Sequence, residues 1–163
     1  MATTLPVKIE FALPEGWQPA PPDEVGAPGA AFVALHLDSR EGFTANITIA
    51  SRLRDDDADL VAIADESVQR LSEAGTVRVA KRTQVGTPDS PALTQTLRIS
   101  SRLHGLPLEL VQSQVYLGMQ DVHDPAKHAV IELALTAKSS QLDEVADDFK
   151  TFVRSVRPAG PAA

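Results

Sequence analysis

Between Val7 and Phe11 apolar side chains fall on every second position, with Lys8 and Glu10 between them. This spacing predicts a strand over residues 6–13 with one covered face. Pro14-Glu15-Gly16 then turns the chain, and Trp17 follows as an anchor whose ring wants cover and whose N–H wants a partner. Pro and Gly are dense from Pro19 to Gly29, so a loop is expected there. Strands are predicted over 30–37 and 43–50, joined by the polar turn Asp38-Ser39-Arg40-Glu41-Gly42. In the second of these, Phe43, Ala45, Ile47 and Ile49 alternate with Thr44, Asn46 and Thr48, as in a sheet with one buried side.

The period then changes. Asp55-Asp56-Asp57-Ala58-Asp59 offers carboxylates to the free N–H groups and positive dipole end of a helix, and Leu60, Ile63, Ala64, Val68 and Leu71 follow at helical spacing. Gly75 is a natural stop. Four strand-like stretches come next, at about 77–86, 92–103, 107–118 and 128–137, separated by Gly86 to Pro91, His104-Gly105-Leu106 and Gln120 to Lys127. Such short connectors favour an antiparallel meander. A last helix is expected from near Ser140, with Leu142, Val145, Ala146, Phe149, Phe152, Val153 and Val156 on one stripe, and Pro158 ends it. Three strands, a helix, four strands and a helix make an α+β protein, because adjacent strands without crossover helices exclude a doubly wound parallel sheet. Phe11 and Trp17 near one end, with Phe149 and Phe152 near the other, imply that the first hairpin and the last helix close one core. A single domain over 1–163 is expected, with its core at about 6–157 and a frayed tail at 158–163.

Composition narrows the function. The net charge of −7 repels phosphate backbones and anionic headgroups, and the basic pairs Arg52/Arg54 and Lys81/Arg82 are too small to reverse that; no nucleic-acid partner is expected. The absence of cysteine removes disulfides, thiolate metal sites and cysteine nucleophiles. No stretch approaches the ~18 apolar residues that span a bilayer, and no signal peptide is read at the start, so a soluble cytoplasmic protein without membrane insertion is expected.

Motifs that carry chemistry are weak. His123 and His128 flank a Pro-containing turn with Asp124 and Lys127, a spacing and charge that suit a solvated hairpin better than zinc. His36 reads as a sheet histidine and His104 as a turn residue. The acidic run 55–59 lacks the glycine and bidentate glutamate of a calcium loop, so no metal site is assigned. No nucleophile elbow or glycine-rich phosphate loop is present, which leaves no catalytic residue and no cofactor to name. Glu109 and Glu132 are expected to pair across strands with Arg98 or Arg102.

Phe11-x-Leu13-Pro14-x-Gly16-Trp17, the stretch Gly42 to Ile49 followed by Arg52-Leu53 and an acidic helix start, and the closing Phe149-x-x-Phe152-Val153-x-Ser155-Val156 together resemble the Mog/PsbP-like superfamily. Within it the chain is most similar to actinobacterial LpqN/LpqT-type lipoproteins, over about residues 6–157. The resemblance implies a curved antiparallel sheet flanked by helices, and proteins that mostly work by binding other proteins. Unlike the lipoproteins, this sequence shows neither an export signal nor a lipid-bearing cysteine. The resulting expectation is a non-catalytic adaptor or chaperone-like module whose partner is another protein, with homodimerisation open. The alternatives are a carrier of a small apolar ligand or lipid, seated near Leu133, Leu135 and Phe152, and an enzyme with an unfamiliar site. The candidate contact residues are Trp17 beside the Pro-rich loop and a polar sheet face of Thr44, Asn46 and Thr48, extended by Thr94, Thr96, Arg98, Gln112 and Gln114.

Overall fold

The computed structural model describes residues 9–22, 30–37, 43–53, 60–73, 75–86, 91–103, 105–120 and 128–158. The acidic run 55–59, His104, the His123–Lys127 turn, loop residues 23–29 and the last five residues lie outside them. The strands are β1 (Ile9–Glu10), β2 (Trp17–Ala20), β3 (Phe32–His36), β4 (Asn46–Leu53), β5 (Thr76–Gly86), β6 (Pro91–Leu103), β7 (Leu106–Gln120), β8 (His128–Lys138) and β9 (Arg157–Pro158). The helices are α1 (Leu60–Ser72) and α2 (Leu142–Ser155). The architecture is α+β: a seven-stranded antiparallel sheet in the order β2-β3-β4-β8-β7-β6-β5, with the helices on opposite faces.

The meander expected of the last four long strands is present, running back from β8 to the edge strand β5. The beginning of the chain differs from expectation. Instead of one strand over 6–13, only Ile9–Glu10 pairs, and its partner is Arg157–Pro158 in a separate two-stranded ribbon. Trp17–Ala20, expected as an anchor and the start of a loop, forms an edge strand against β3. Pro19 fits there because a strand edge has backbone positions that need no N–H donor.

Alternation along β4 and the residue before it buries Ala45, Ile47 and Ile49 completely, against Ile131, Leu133 and Leu135 of β8. Over them lies α2, whose Val145, Phe149 and Phe152 form the buried side of the predicted stripe. A short 3-10 turn, Ser139–Gln141, precedes the helix. There Gln141 accepts the Lys138 N–H through Oε1 at 2.9 Å and donates from Nε2 to the Phe43 carbonyl at 2.7 Å, tying the helix entrance to the approach of β4. The helix ends at Ser155, so Val156 sits in extended backbone just past it and still packs against the core.

The two chain ends close this core together. Phe11 meets Phe32 at 4.9 Å and Phe152 at 5.6 Å between ring centroids, both edge-on, and Phe149 stacks on Phe152 at 6.3 Å. Trp17 is 7% exposed and donates from Nε1 to Asp148 Oδ2 at 2.9 Å, so its polar atom reaches a carboxylate on α2 while the ring is covered. Ala12 N–H donates to Ser155 Oγ at 2.9 Å, which fastens the entry segment to the end of α2.

The second helix–sheet contact has another character. Leu60, Ile63 and Ala64 of α1 pack on Leu93, Tyr116 and Val130, but Ser67, Gln95 and Gln114 are buried among them. Gly75, beyond the end of α1, passes the Ser100 carbonyl so closely that a Cβ would sit 2.6 Å from its oxygen. Glycine is required there by proximity rather than by backbone angle.

Candidate interaction surface

Register explains how the polar residues are distributed. Leu103 of β6 pairs with Leu106 of β7, leaving a two-residue turn where three residues, His104 to Leu106, were expected. One residue in a hairpin turn decides which face every later side chain takes. Gly105 supplies the positive φ of 79° at that turn. As a result Gln114 stands opposite Gln95, and odd positions of β6 share a face with even positions of β7.

Thr94, Thr96 and Arg98 are therefore on the opposite face from Gln112 and Gln114, and the single platform expected from the sequence is two surfaces. Trp17 and Gln114 are interior, Thr44 and Arg98 exposed, and Asn46, Thr48 and Gln112 half-buried. The structure brings together Asn46, Thr48, Gln112 and Gln114, whose face also includes Thr136.

On that face one row crosses six strands: Val33, Thr48, Ala134, Gln114, Gln95 and Arg82. From its Arg82 end a continuous run of side-chain hydrogen bonds follows the row to Gln114 and then turns to Gln112 and Thr136. Arg82 donates to Asp65 at 2.7 Å and through Nε to Gln95 Oε1 at 2.9 Å. Gln95 Nε2 donates to Gln114 Oε1 at 2.5 Å, Gln114 Nε2 to Gln112 Oε1 at 2.5 Å, and Gln112 Nε2 to Thr136 Oγ1 at 2.9 Å. Three amides thus point the same way, from an ion pair at the α1 margin to a hydroxyl on β8. Ser67 accepts a second bond from Gln114 at 3.0 Å, and Tyr116 O–H donates to Gln114 Oε1 at 2.8 Å. Aligned amides polarise one another in a low-dielectric interior, and every member is satisfied, so the run is rigid. Burial, and then the charge of Glu132 at 3.4 Å, push the Tyr116 phenol well above its ordinary range.

α1 packs over β5 and β6 and reaches Tyr116 and Val130, and to its side Asn46, Thr48 and Thr136 are half-buried. Beside α1, Asp65, Val68 and Gln69 face Val79 and Arg82 across an open groove of about 520 Å³. The other face is apolar under α2 and polar beyond it, where exposed Arg78, Lys81 and Arg98 lie among Thr83, Thr94, Thr96 and Ser113.

The expected ion pairs are not directly opposed. Glu109 stands across from Ser100 and accepts its hydroxyl at 2.8 Å, Glu132 faces Tyr116 and Ala50, and Arg98 is flanked by Arg78 and Val111. Arg102 donates to the Gly105 carbonyl at 3.3 Å. Sequence reasoning missed Gln95, Ser67 and Arg82 as parts of one network. The available signal was Gln95 interrupting the apolar positions Leu93, Leu97 and Ile99. Among the described residues no group of three or more His, Asp or Glu side chains is placed to hold a metal ion, and no helix is long and apolar enough to cross a membrane.

Neither a protein-family model nor a curated protein sequence matches this chain. Solved structures do. LpqN of Mycobacterium tuberculosis, described as involved in cell envelope biogenesis, matches with a TM-score of 0.66 at 13% identity, over 94% of this chain and 86% of its own. The cyanobacterial PsbP of Synechocystis sp. PCC 6803 matches at 0.59 and 16% identity, over 93% and 86%. The Saccharomyces cerevisiae Ran-binding protein Mog1p matches at 0.57 and 12% identity, over 92% and 89%. The chain has the Mog/PsbP-like fold, as its terminal aromatic motifs implied.

Proposed function

We propose that this protein is a non-catalytic interaction module, an adaptor or chaperone-like partner for another protein. The observation that carries this reading is the placement of the helices. Each covers part of one sheet face, and together they leave a polar surface on either side of a rigid sheet, one of them braced by the glutamine run. Rigid, polar, partly exposed surfaces suit reversible protein contacts. The fold shared with a Ran-binding protein supports the same reading, although a fold alone does not carry an activity. A cytoplasmic location belongs to the proposal. The apolar-carrier alternative is less favoured, because Leu133, Leu135 and Phe152, at 0%, 1% and 0% exposure, are themselves packed into one cluster with Val145 and Phe149.

Photo-crosslinking in cells tests the proposal. A photoreactive residue in place of Thr48, half-buried on the polar strip beside α1, should give a discrete protein adduct, while one in place of Lys150, exposed on α2, should not. Equal adducts from both sites, or none from Thr48, would sink the reading. So would substrate turnover by the purified protein that a single substitution abolishes.

A further inference from the structure

We infer that the edge strand β5 is a docking site for an extended acidic segment of a partner protein, one that alternates carboxylate and apolar side chains. The inference rests on the interaction-module reading and gives the partner's chemistry. Four observations support it.

The strand is eleven residues long, lies last in the sheet order, and pairs only with β6 among the described strands. Its outer backbone groups are those that an added strand would use. Second, Arg78 and Arg98 stand directly opposite each other in register, with Lys81 on the same face. All three are exposed, and outside the backbone ladder none of their side chains has a hydrogen bond or ion pair with another described residue. Like charges facing each other across strands are destabilising, so this pair weakens the free protein and is relieved by an anion. Arg98 sits on the interior strand β6 and does nothing to blunt the sheet edge, so protection against aggregation does not account for it.

Third, the two sides of β5 differ. On one side are Arg78 and Lys81; on the other, Val79 and Arg82 border the groove with Val68, Gln69 and Asp65. An added strand sends successive side chains to opposite faces, so carboxylates would reach the cations while apolar groups enter the groove. Val79 is 39% exposed, an apolar surface available to such a segment. The bulge between Val79 and Lys81 divides β5 into two regular stretches, Thr76–Val79 with Arg78 and Val79, and Lys81–Gly86, and an added strand would run along both.

Fourth, other occupants fit poorly. A second copy paired through β5 would bring two sets of Arg78, Lys81 and Arg82 together along one seam. A nucleic acid or anionic bilayer would meet a chain of net charge −7 with only a few cations on this face.

The test uses the full chain and a fluorescent, alternating Glu–Val octapeptide, with a Lys–Val octapeptide as control. The acidic peptide should bind, weaken as salt rises, and slow amide hydrogen exchange over Thr76–Gly86. Arg78→Glu and Arg98→Glu should each reduce its affinity roughly tenfold or more without lowering the thermal midpoint. Binding of the Lys–Val peptide with equal affinity, or unchanged affinity in both charge variants, would overturn the inference. Tighter binding of single-stranded DNA or phosphatidylserine vesicles, or self-association that Arg78→Glu abolishes, would do the same. Failure here with a persistent Thr48 adduct removes the acidic strand and leaves the interaction module; loss of the Thr48 adduct removes the module itself.

Discussion

The beds beneath the two helices are built from the same sheet and solve burial in different ways. Under α2 the contact is apolar: Phe149, Phe152 and Val145 against Ile47, Ile49, Leu133 and Leu135, extended by Phe11 and closed by Trp17. Under α1 an apolar patch of Leu60, Ile63, Leu93 and Val130 surrounds Ser67, Gln95, Gln114 and Tyr116. Apolar contact is non-directional and scales with area, so the α2 side supplies strength. Amide hydrogen bonds add little net energy but accept few geometries, so the α1 side supplies a defined position. Strength and placement are thus divided between the two faces, and the helix held by directional bonds is the one beside the proposed docking edge.

The largest test of this contrast is Phe152→Ala. Phe152 is fully buried and central to the α2 bed, and its truncation should cost about 3–5 kcal/mol by urea denaturation. A loss under about 1.5 kcal/mol would mean that the α2 side is not the stronger one. Gln114→Ala comes next. It strips partners from Gln95, Gln112, Ser67 and Tyr116, and leaving buried polar groups unpaired should cost about 1–3 kcal/mol. A double-mutant cycle with Gln95→Ala should show coupling of at least about 0.5 kcal/mol; strict additivity would show that the amides act singly.

Tyr116 sharpens the comparison through pH. Its folded-state pKa is raised by burial and by Glu132, so the folded protein holds the phenolic proton more tightly than the unfolded chain does. That contribution is fully present below the unfolded value of about 10 and is lost as pH rises beyond it. Stability should fall above that pH, and Tyr116→Phe should flatten the fall. Tyr116 is the single tyrosine of the chain, so its absorbance titration reports this group alone. Ionisation near pH 10 in the folded protein would show that the α1 bed is wet.

The smallest expected effect has the opposite sign. Arg98→Glu turns the like-charged cross-strand contact with Arg78 into an attractive one and should stabilise the protein by about 0.2–1 kcal/mol. A loss of stability would mean that Arg98 serves the fold rather than a partner.

Much of the fold is legible in local pattern. Alternation marks β4 because one of its faces is buried, and the stripe from Val145 to Phe152 marks α2 because that helix rests on apolar residues alone. The candidate surface is less legible. Thr96 and Gln112 are both polar strand positions, and nothing local to either says whether they share a face. β2 and the ribbon of β1 with β9 were hidden for a related reason: segments of two to four residues carry no usable period, and β1 finds its partner at the far end of the chain.

Local sequence determined the succession of the longer strands and the two helices, the aromatic closure of the two ends, and the net negative charge, since periodicity and charge are properties of neighbours along the chain. Tertiary structure alone decided that the polar positions form two surfaces, that three glutamines align, and that two arginines face each other between the edge strand and its neighbour. Those arrangements depend on register between strands, and a single residue in the turn at Gly105 is enough to reverse it.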